Sequence, residues 1–189
     1  MEPEPREHAN ATAEQILDAA EKRARIGGYY AMSFRDLASD VAVKSASVHY
    51  HFPAKADLGV ALVERYRARF FEELAARTGS ATPRQKLLAF VSLYRDALDK
   101  GGAICLCGML GAESGGLPGI VARSVRGFFE ANIAWVHAAL EEGALSDTAQ
   151  DDATLFVATL QGALILAASL DDLGVYDAAA RRILQPFVQ

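Results

Sequence analysis

The stretch from Ser33 to Lys55, SFRDLASDVAVKSASVHYHFPAK, constrains this chain more than any other. It reads as two short helices joined by a tight turn and closed by a proline. Ser33 stands as the cap of the first helix, and Asp36, three residues on, completes the reciprocal pattern that satisfies free N–H groups at a helix start. Phe34, Leu37, Ala38 and Val41 recur at helical spacing, which gives that helix one apolar face. The second helix is expected to open with Ser45 as its cap and to turn Val48 and Phe52 inward. Pro53 takes Phe52 out of helical geometry and ends it. Small Ala38 sits where two steeply crossed helices must approach, so the pair forms a helix-turn-helix. The outer side of the second helix then carries Ser45, Ala46, Ser47, His49 and Tyr50, with Lys55 following. That side is short, polar and nearly free of carboxylates, as suits a helix entering the major groove of DNA.

These residues also carry a family resemblance. Over Thr12 to Leu58, and most closely in SxxDLA…SASVHYHFPAKADL, the chain resembles the DNA-binding domain of TetR-type regulators. The resemblance implies an all-α protein, and the chain's own periodicity gives about nine helices, with an N-terminal three-helix helix-turn-helix domain and a larger C-terminal domain for ligand binding and dimerisation. It implies a homodimeric one-component regulator, a repressor, whose partners are double-stranded operator DNA and a small-molecule inducer. Taken residue by residue, it makes Ser45, Ala46, Ser47 and Tyr50 the base-edge and methyl contacts. His49, His51 and Lys55 fall to phosphates, Arg35 reaches in from the preceding helix, and Lys44 in the turn serves either role. Two positions depart from the pattern. Ala42 stands where a turn glycine is usual, which costs on the order of 1 kcal/mol if the turn keeps a positive φ there. Ala54 stands where a Ser, Thr or Asn usually caps the next helix.

Charge distribution agrees with a DNA-reading module. The net charge is −5, yet residues 20–60 hold six Lys or Arg against four carboxylates, leaving 13 against 20 in the remainder. A mildly basic module on an acidic body favours local phosphate contacts over a global electrostatic grip. The opening MEPEPREHANA lacks the basic and apolar regions of a signal peptide. Cys105 and Cys107 alone make no disulfide framework, which suits the cytoplasm. The most apolar run, Leu155 to Leu170, is interrupted by Thr159, Gln161 and Ser169 and reads as a buried helix rather than a membrane span.

Along the chain, residues 1–11 read as a disordered tail and 12–54 as the DNA-binding domain. Thr12 and Gln15 form a capping box for the first helix, whose buried stripe is Ile16, Leu17, Ala20 and Ala24. Residues 55–189 form the second domain. A long helix over about 55–77, with Leu58, Leu62, Tyr66, Phe70 and Leu74 on one face, makes a stiff rod between the two. Further helices are expected over 83–100, 117–143, 147–170 and 175–187, with a short glycine-loosened helix near the cysteines. Gly101–Gly102 stop the 83–100 helix. The helices 117–143 and 147–170 carry more apolar surface than one small domain covers, so they are the expected dimer interface.

The candidate ligand pocket is lined by Tyr66, Phe70, Tyr94, Cys105, Met109, Phe128, Asn132 and Trp135, and Glu113 and Gln161 offer further polar groups. Ordinary core packing is the competing reading for each of them. Cys105 and Cys107 lie two apart, so on a helix they point away from each other and cannot pair. Either they pack as small apolar residues or Cys105, near a helix start, serves as a thiol sensor with Cys107 less reactive. His49 and His51 lack companion ligands, so no metal site is expected, and no cofactor. Two other classes stay open: a thiol-based enzyme, for which neither cysteine has a base near it in sequence, and a DNA-binding protein without a ligand.

Overall fold

The computed structural model describes residues 5–101 and 104–187. Nine α-helices and one 3-10 turn account for the regular structure of the described residues, in agreement with the all-α expectation. Helix α1 spans Pro5–Gly27 and is followed by the 3-10 turn Tyr29–Ala31. Then come α2 (Phe34–Asp40), α3 (Ser45–His51), α4 (Lys55–Thr78), α5 (Pro83–Gly101), α6 (Leu106–Ala112), α7 (Gly119–Glu142), α8 (Ala149–Leu170) and α9 (Leu173–Leu184).

Three local expectations need correction. The tail expected over 1–11 is helical from Pro5 onward, and Thr12 lies inside α1 rather than capping it. Proline at the first helical turn loses no hydrogen bond, and Ala9, Ala11 and Ala13 favour continuation. At α3 the capping position is Lys44 and Ser45 is already helical, with no side-chain cap. The last helix begins at Leu173 because the Asp172 carboxylate accepts from Gly174 N at 2.8 Å. Of the expected Gly101–Gly102 stop, Gly102 lies outside the described residues.

The N-terminal unit packs α1, α2 and α3 around Ile16, Leu17, Ala20, Ala24, Met32, Leu37, Val48 and Phe52, all buried. As expected, Ser33 Oγ accepts from Asp36 N at 3.1 Å and caps α2. The turn that follows is a Schellman motif: Val43 N reaches Ala38 O at 2.9 Å, and Ala42 has φ +54°. Arg23 on α1 forks onto Asp40 at the end of α2, and Arg65 on α4 grips Glu14 and Asp18 on α1.

The rod α4 rises about 36 Å over its 24 residues and buries its predicted stripe, Leu58, Leu62, Tyr66, Phe70 and Leu74. It lies against α7, whose other side packs on α8, and α8 in turn pairs with α9. The apolar residues Val121, Val125, Phe128, Val136 and Leu140 of α7 are spent inside this bundle. On its outer side α7 keeps Ile120 exposed and Phe129, Ile133 and Trp135 half-buried. Helix α8 differs: besides its buried face it leaves Leu155, Ile165, Leu166 and Leu170 exposed. Its mean hydropathy of 1.9 and its length of 22 residues reach the range of a membrane-spanning helix despite Thr159, Gln161 and Ser169. Eight of its residues, Ala149 through Ala167, nevertheless belong to the core.

Candidate nucleic-acid interface and its link to the interior

Helix α3 stands with Val48 fully buried as its anchor and its opposite side free. Lys44, Ser45, Ala46, His49 and Tyr50 are exposed on that side, Ser47 and His51 are half-buried, and Arg35 is exposed on α2. Tyr50 is 78 % exposed, an unusual state for a large aromatic ring held on a rigid helix. The His49 ring meets Phe34 edge-on at 4.6 Å, which fixes its direction. Between Val41 and Ala56 there is no carboxylate. The surface thus presents cations, hydroxyls, a methyl group and one aromatic on a helix held rigidly by its buried side.

Lys55, expected at a phosphate, makes contacts within the chain. Its Nζ lies 4.6 Å from the Tyr29 ring centre and 5.2 Å from that of Tyr30, and it donates to Tyr30 O at 3.4 Å. Burial lowers its pKa from the ordinary lysine value, against the pull of Glu113. The amide of Ala54, which has no capping side chain, donates to the Asp57 carboxylate at 3.0 Å, so α4 keeps half of a capping box.

Lys55 belongs to a joint that sequence reasoning missed. Glu113, at the end of α6, accepts from Tyr29 N at 2.7 Å. Gly28 makes this possible: its φ is +71°, and a Cβ there would come 1.8 Å from Glu113 Oε1. The Tyr30 hydroxyl donates to Gly116 O at 2.7 Å, and Arg25 reaches Ile104 O at 3.5 Å while its guanidinium lies 5.4 Å from the Tyr66 ring centre. The Gly27–Gly28 pair had marked only a helix end; its partner is some 85 residues away in sequence, beyond any local pattern.

Behind the joint lies a buried polar cluster. Most of the expected pocket residues meet here: Tyr66, Phe70, Tyr94, Cys105, Phe128 and Asn132 are all buried, while Met109 and Trp135 are half-buried. Tyr66 donates to Cys105 Sγ at 3.4 Å, Tyr94 to Asn132 Oδ1 at 2.9 Å, and Asn132 Nδ2 to Phe128 O at 2.7 Å. Phe70 packs 5.0 Å from Tyr94 and 5.5 Å from Phe128, and Trp135 stacks on Phe90. Burial pushes the Tyr66 and Tyr94 phenols and the Cys107 thiol well above their ordinary values. Cys105 and Cys107 are 2 % and 0 % exposed, so neither meets solvent in this state.

Comparison with known proteins matches both halves of this architecture. Residues 16–62 match the model of the bacterial regulatory proteins of the tetR family. The transcriptional regulator AcuR of Cereibacter sphaeroides is 33% identical over 95 residues. That match covers 48% of this chain and 43% of the relative, less than half the length of either. A TetR-family transcriptional regulator from Agrobacterium tumefaciens is 30% identical, superposes with a TM-score of 0.90, and the alignment covers 96% of this chain and all of that one. A TetR transcriptional regulator from Legionella pneumophila, 29% identical, superposes with a TM-score of 0.86 over 92% of this chain and 96% of its own.

Proposed function

The chain belongs to the TetR family and is a DNA-binding transcriptional regulator, and on that footing we propose that it is a cytoplasmic repressor. It acts as a homodimer on a pseudo-palindromic operator and lets go when an inducer enters its C-terminal domain. The observation that carries the reading is the free face of α3, where exposed Lys44, Ser45, Ala46, His49 and Tyr50 stand on a buried Val48 anchor without a carboxylate nearby. Tyr50, Ser45, Ala46 and Ser47 read base edges and thymine methyls, and Lys44, Arg35, His49 and His51 hold phosphates. Lys55 holds the joint to Tyr29 and Tyr30 and touches phosphate only if that joint opens.

The second chain sits on α8. Its exposed Leu155, Ile165, Leu166 and Leu170 form a stripe around Gly162, beside which no atom of the same chain lies within 4 Å of a would-be Cβ. That supports a self-complementary interface with α8 at its centre rather than α7, and half-sites about one helical turn apart. An inducer in the polar cluster around Tyr66, Tyr94 and Asn132 bears on α4 and, through Glu113 and Tyr30, on the DNA-binding unit. A coupling of ~1–3 kcal/mol would change operator affinity some 5–150-fold. Burial of Cys105 and Cys107 favours a reversible ligand over an electrophile as that inducer. A thiol-based catalytic role gains nothing from a Cys107 thiol held protonated.

The test is operator binding followed by fluorescence anisotropy. Tyr50→Ala should cost about 1–3 kcal/mol on the operator and relax base preference, whereas Lys44→Ala should weaken all duplexes alike and reduce the salt slope by about one. Both variants binding like the parent chain would refute the assignment.

A further inference from the structure

One cation at the edge of the recognition surface is engaged inside the chain. Lys55 opens α4 and follows His51, the last residue of α3, by four positions. At most about 14 Å of backbone therefore separates it from the recognition helix. Lys44 and Arg35, the other cations of this surface, are exposed. The Lys55 ammonium instead faces the ring of Tyr29 at 4.6 Å and that of Tyr30 at 5.2 Å, and it donates to Tyr30 O at 3.4 Å. A ring face attracts an ammonium because its π cloud is the negative pole of the ring. These contacts must be given up before the ammonium reaches a phosphate, so they subtract from DNA affinity.

The two tyrosines differ in what else they do. Tyr29 is 4 % exposed and belongs to the core, where its Cε2 would lie 3.0 Å from a Cβ at Gly59. Tyr30 is 65 % exposed, so its ring gains little from burial. That ring is nevertheless fixed at both ends. It meets Tyr29 edge-on at 5.5 Å, and its hydroxyl donates to Gly116 O at 2.7 Å. What the fixed ring covers is the Lys55 ammonium.

We infer that Tyr30 is a positioning residue that restrains DNA affinity: its ring holds Lys55 against the joint and withholds from the phosphate backbone a cation that the start of α4 would otherwise present. The inference rests on the α3 reading of DNA binding and is independent of any inducer. Because the same contact ties α4 to the 3-10 turn, a phosphate that captured Lys55 would in return loosen the joint.

The experiment follows the anisotropy of a fluorescein-labelled random-sequence duplex, since phosphate contacts are blind to sequence, in about 50 mM sodium chloride, where they are strong. The full chain is compared with Tyr30→Leu, Tyr30→Phe, Lys55→Met and the Tyr30→Leu/Lys55→Met double variant. Tyr30→Leu should bind about 2–5-fold more tightly than the parent, the range that one ring–cation contact at an exposed site sets. That gain should vanish in the Lys55→Met background. Tyr30→Phe keeps the ring and loses the hydrogen bond to Gly116, and it should bind as the parent does. The inference is overturned if Tyr30→Leu gives no gain, if the gain persists in the Lys55→Met background, or if Tyr30→Phe gains as much as Tyr30→Leu, since the hydroxyl and not the ring would then govern. Lys44→Ala is the control for the α3 reading. If it leaves binding unchanged, the α3 face is not the DNA surface and this inference falls with it; if it weakens binding while the Tyr30 variants match the parent, this inference alone falls.

Discussion

The turn inside the helix-turn-helix stores backbone strain that a single substitution should release. Ala42 sits at φ +54° in the Schellman motif that ends α2, and Ala144 sits at φ +47° in the same motif after α7, where Leu145 N reaches Leu140 O at 2.9 Å. An L-residue with a Cβ costs about 1–2 kcal/mol in this left-handed region, whereas glycine occupies it freely. Against that, glycine widens the unfolded ensemble by about 0.4–1 kcal/mol. The difference leaves a net stabilisation of about 0.5–1 kcal/mol for Ala42→Gly, and a similar gain for Ala144→Gly. The two sites lie in separate units with no shared partner, so the effects should add. For a chain of this size 1 kcal/mol moves the melting midpoint by about 2–4 °C, so the double variant should melt about 2–8 °C higher. Circular dichroism on the parent, both single variants and the double variant measures this directly. The reasoning fails if either glycine lowers the midpoint, which would mean that the Cβ of that alanine contributes more by packing than its backbone costs. Ala42 is exposed, so little packing is available to reverse the sign.

Three further outcomes follow from named contacts. Gly162→Leu should leave the fold of one chain intact, because no atom of that chain lies within 4 Å of its would-be Cβ, yet shift sedimentation from dimer toward monomer; an unchanged dimer would place the interface elsewhere. Glu113→Ala leaves the Tyr29 N–H without its acceptor and should cost about 1–2 kcal/mol in urea unfolding, while Glu113→Gln keeps an oxygen there and should recover most of it; equal losses would show that charge matters more than the hydrogen bond. The hydrogen bond from Arg95 holds the Asp177 carboxyl below its ordinary value, so its contribution is present above about pH 4 and lost as pH falls below that. Because the pair is partly exposed the contribution stays under about 1 kcal/mol, and Asp177→Asn should flatten that part of the acid-side loss, a result that urea midpoints from about pH 5 to pH 3 would expose.

What was legible in the sequence was local or periodic. The Ser33 cap, the Leu37 and Val48 anchors, the Pro53 stop and the stripe from Leu58 to Leu74 each depend on residues within a turn or two, and the structure places them as their spacing implies. The positive φ at Ala42 was foreshadowed only by the resemblance, which puts a turn glycine at that position, and the structure shows φ +54° there. Where two rules competed locally, the reading slipped. Thr12 followed by Gln15 makes a capping pattern, but nothing upstream of it breaks the helix, so α1 continues back to Pro5. For α7 the sequence left two uses open, because apolar residues count the same toward an internal core and toward an interface. Only packing shows that Val121, Phe128 and Val136 are used within the chain while Leu166 and Leu170 are not. Candidate pocket residues emerged by type, yet the hydrogen bonds that join Tyr94 to Asn132 and Tyr66 to Cys105 cross between helices, which no pattern records.

On the proposed ligand-responsive reading, the joint between the two units is the route by which the interior would govern so small a DNA-binding domain. Contacts that cross it include Glu113 to Tyr29 N, Tyr30 to Gly116 O, Arg25 to Ile104 O, the Arg25 guanidinium over Tyr66, and Lys55 over Tyr29 and Tyr30. These involve residues 104–116 or the rod α4 and end on the last turn of α1 or the 3-10 turn after it, while Arg65 holds the rod to Glu14 and Asp18 farther back on α1. Tyr66 links the two sides, since its ring faces Arg25 while its hydroxyl donates to Cys105. A change in the polar cluster that moved Tyr66 or α6 by an ångström would leave the core of α1, α2 and α3 packed as before. It would stretch the Glu113 and Tyr30 hydrogen bonds from 2.7 Å to beyond the roughly 3.2 Å at which such bonds are lost. The DNA-binding unit would then turn as a body about Gly28, the one position in the joint whose backbone already lies where side chains are excluded. Because packed interfaces switch between discrete arrangements and do not deform continuously, in the proposed dimer such a displacement would separate the two recognition helices by a fixed step, and the spacing of operator half-sites would convert that step into lost affinity.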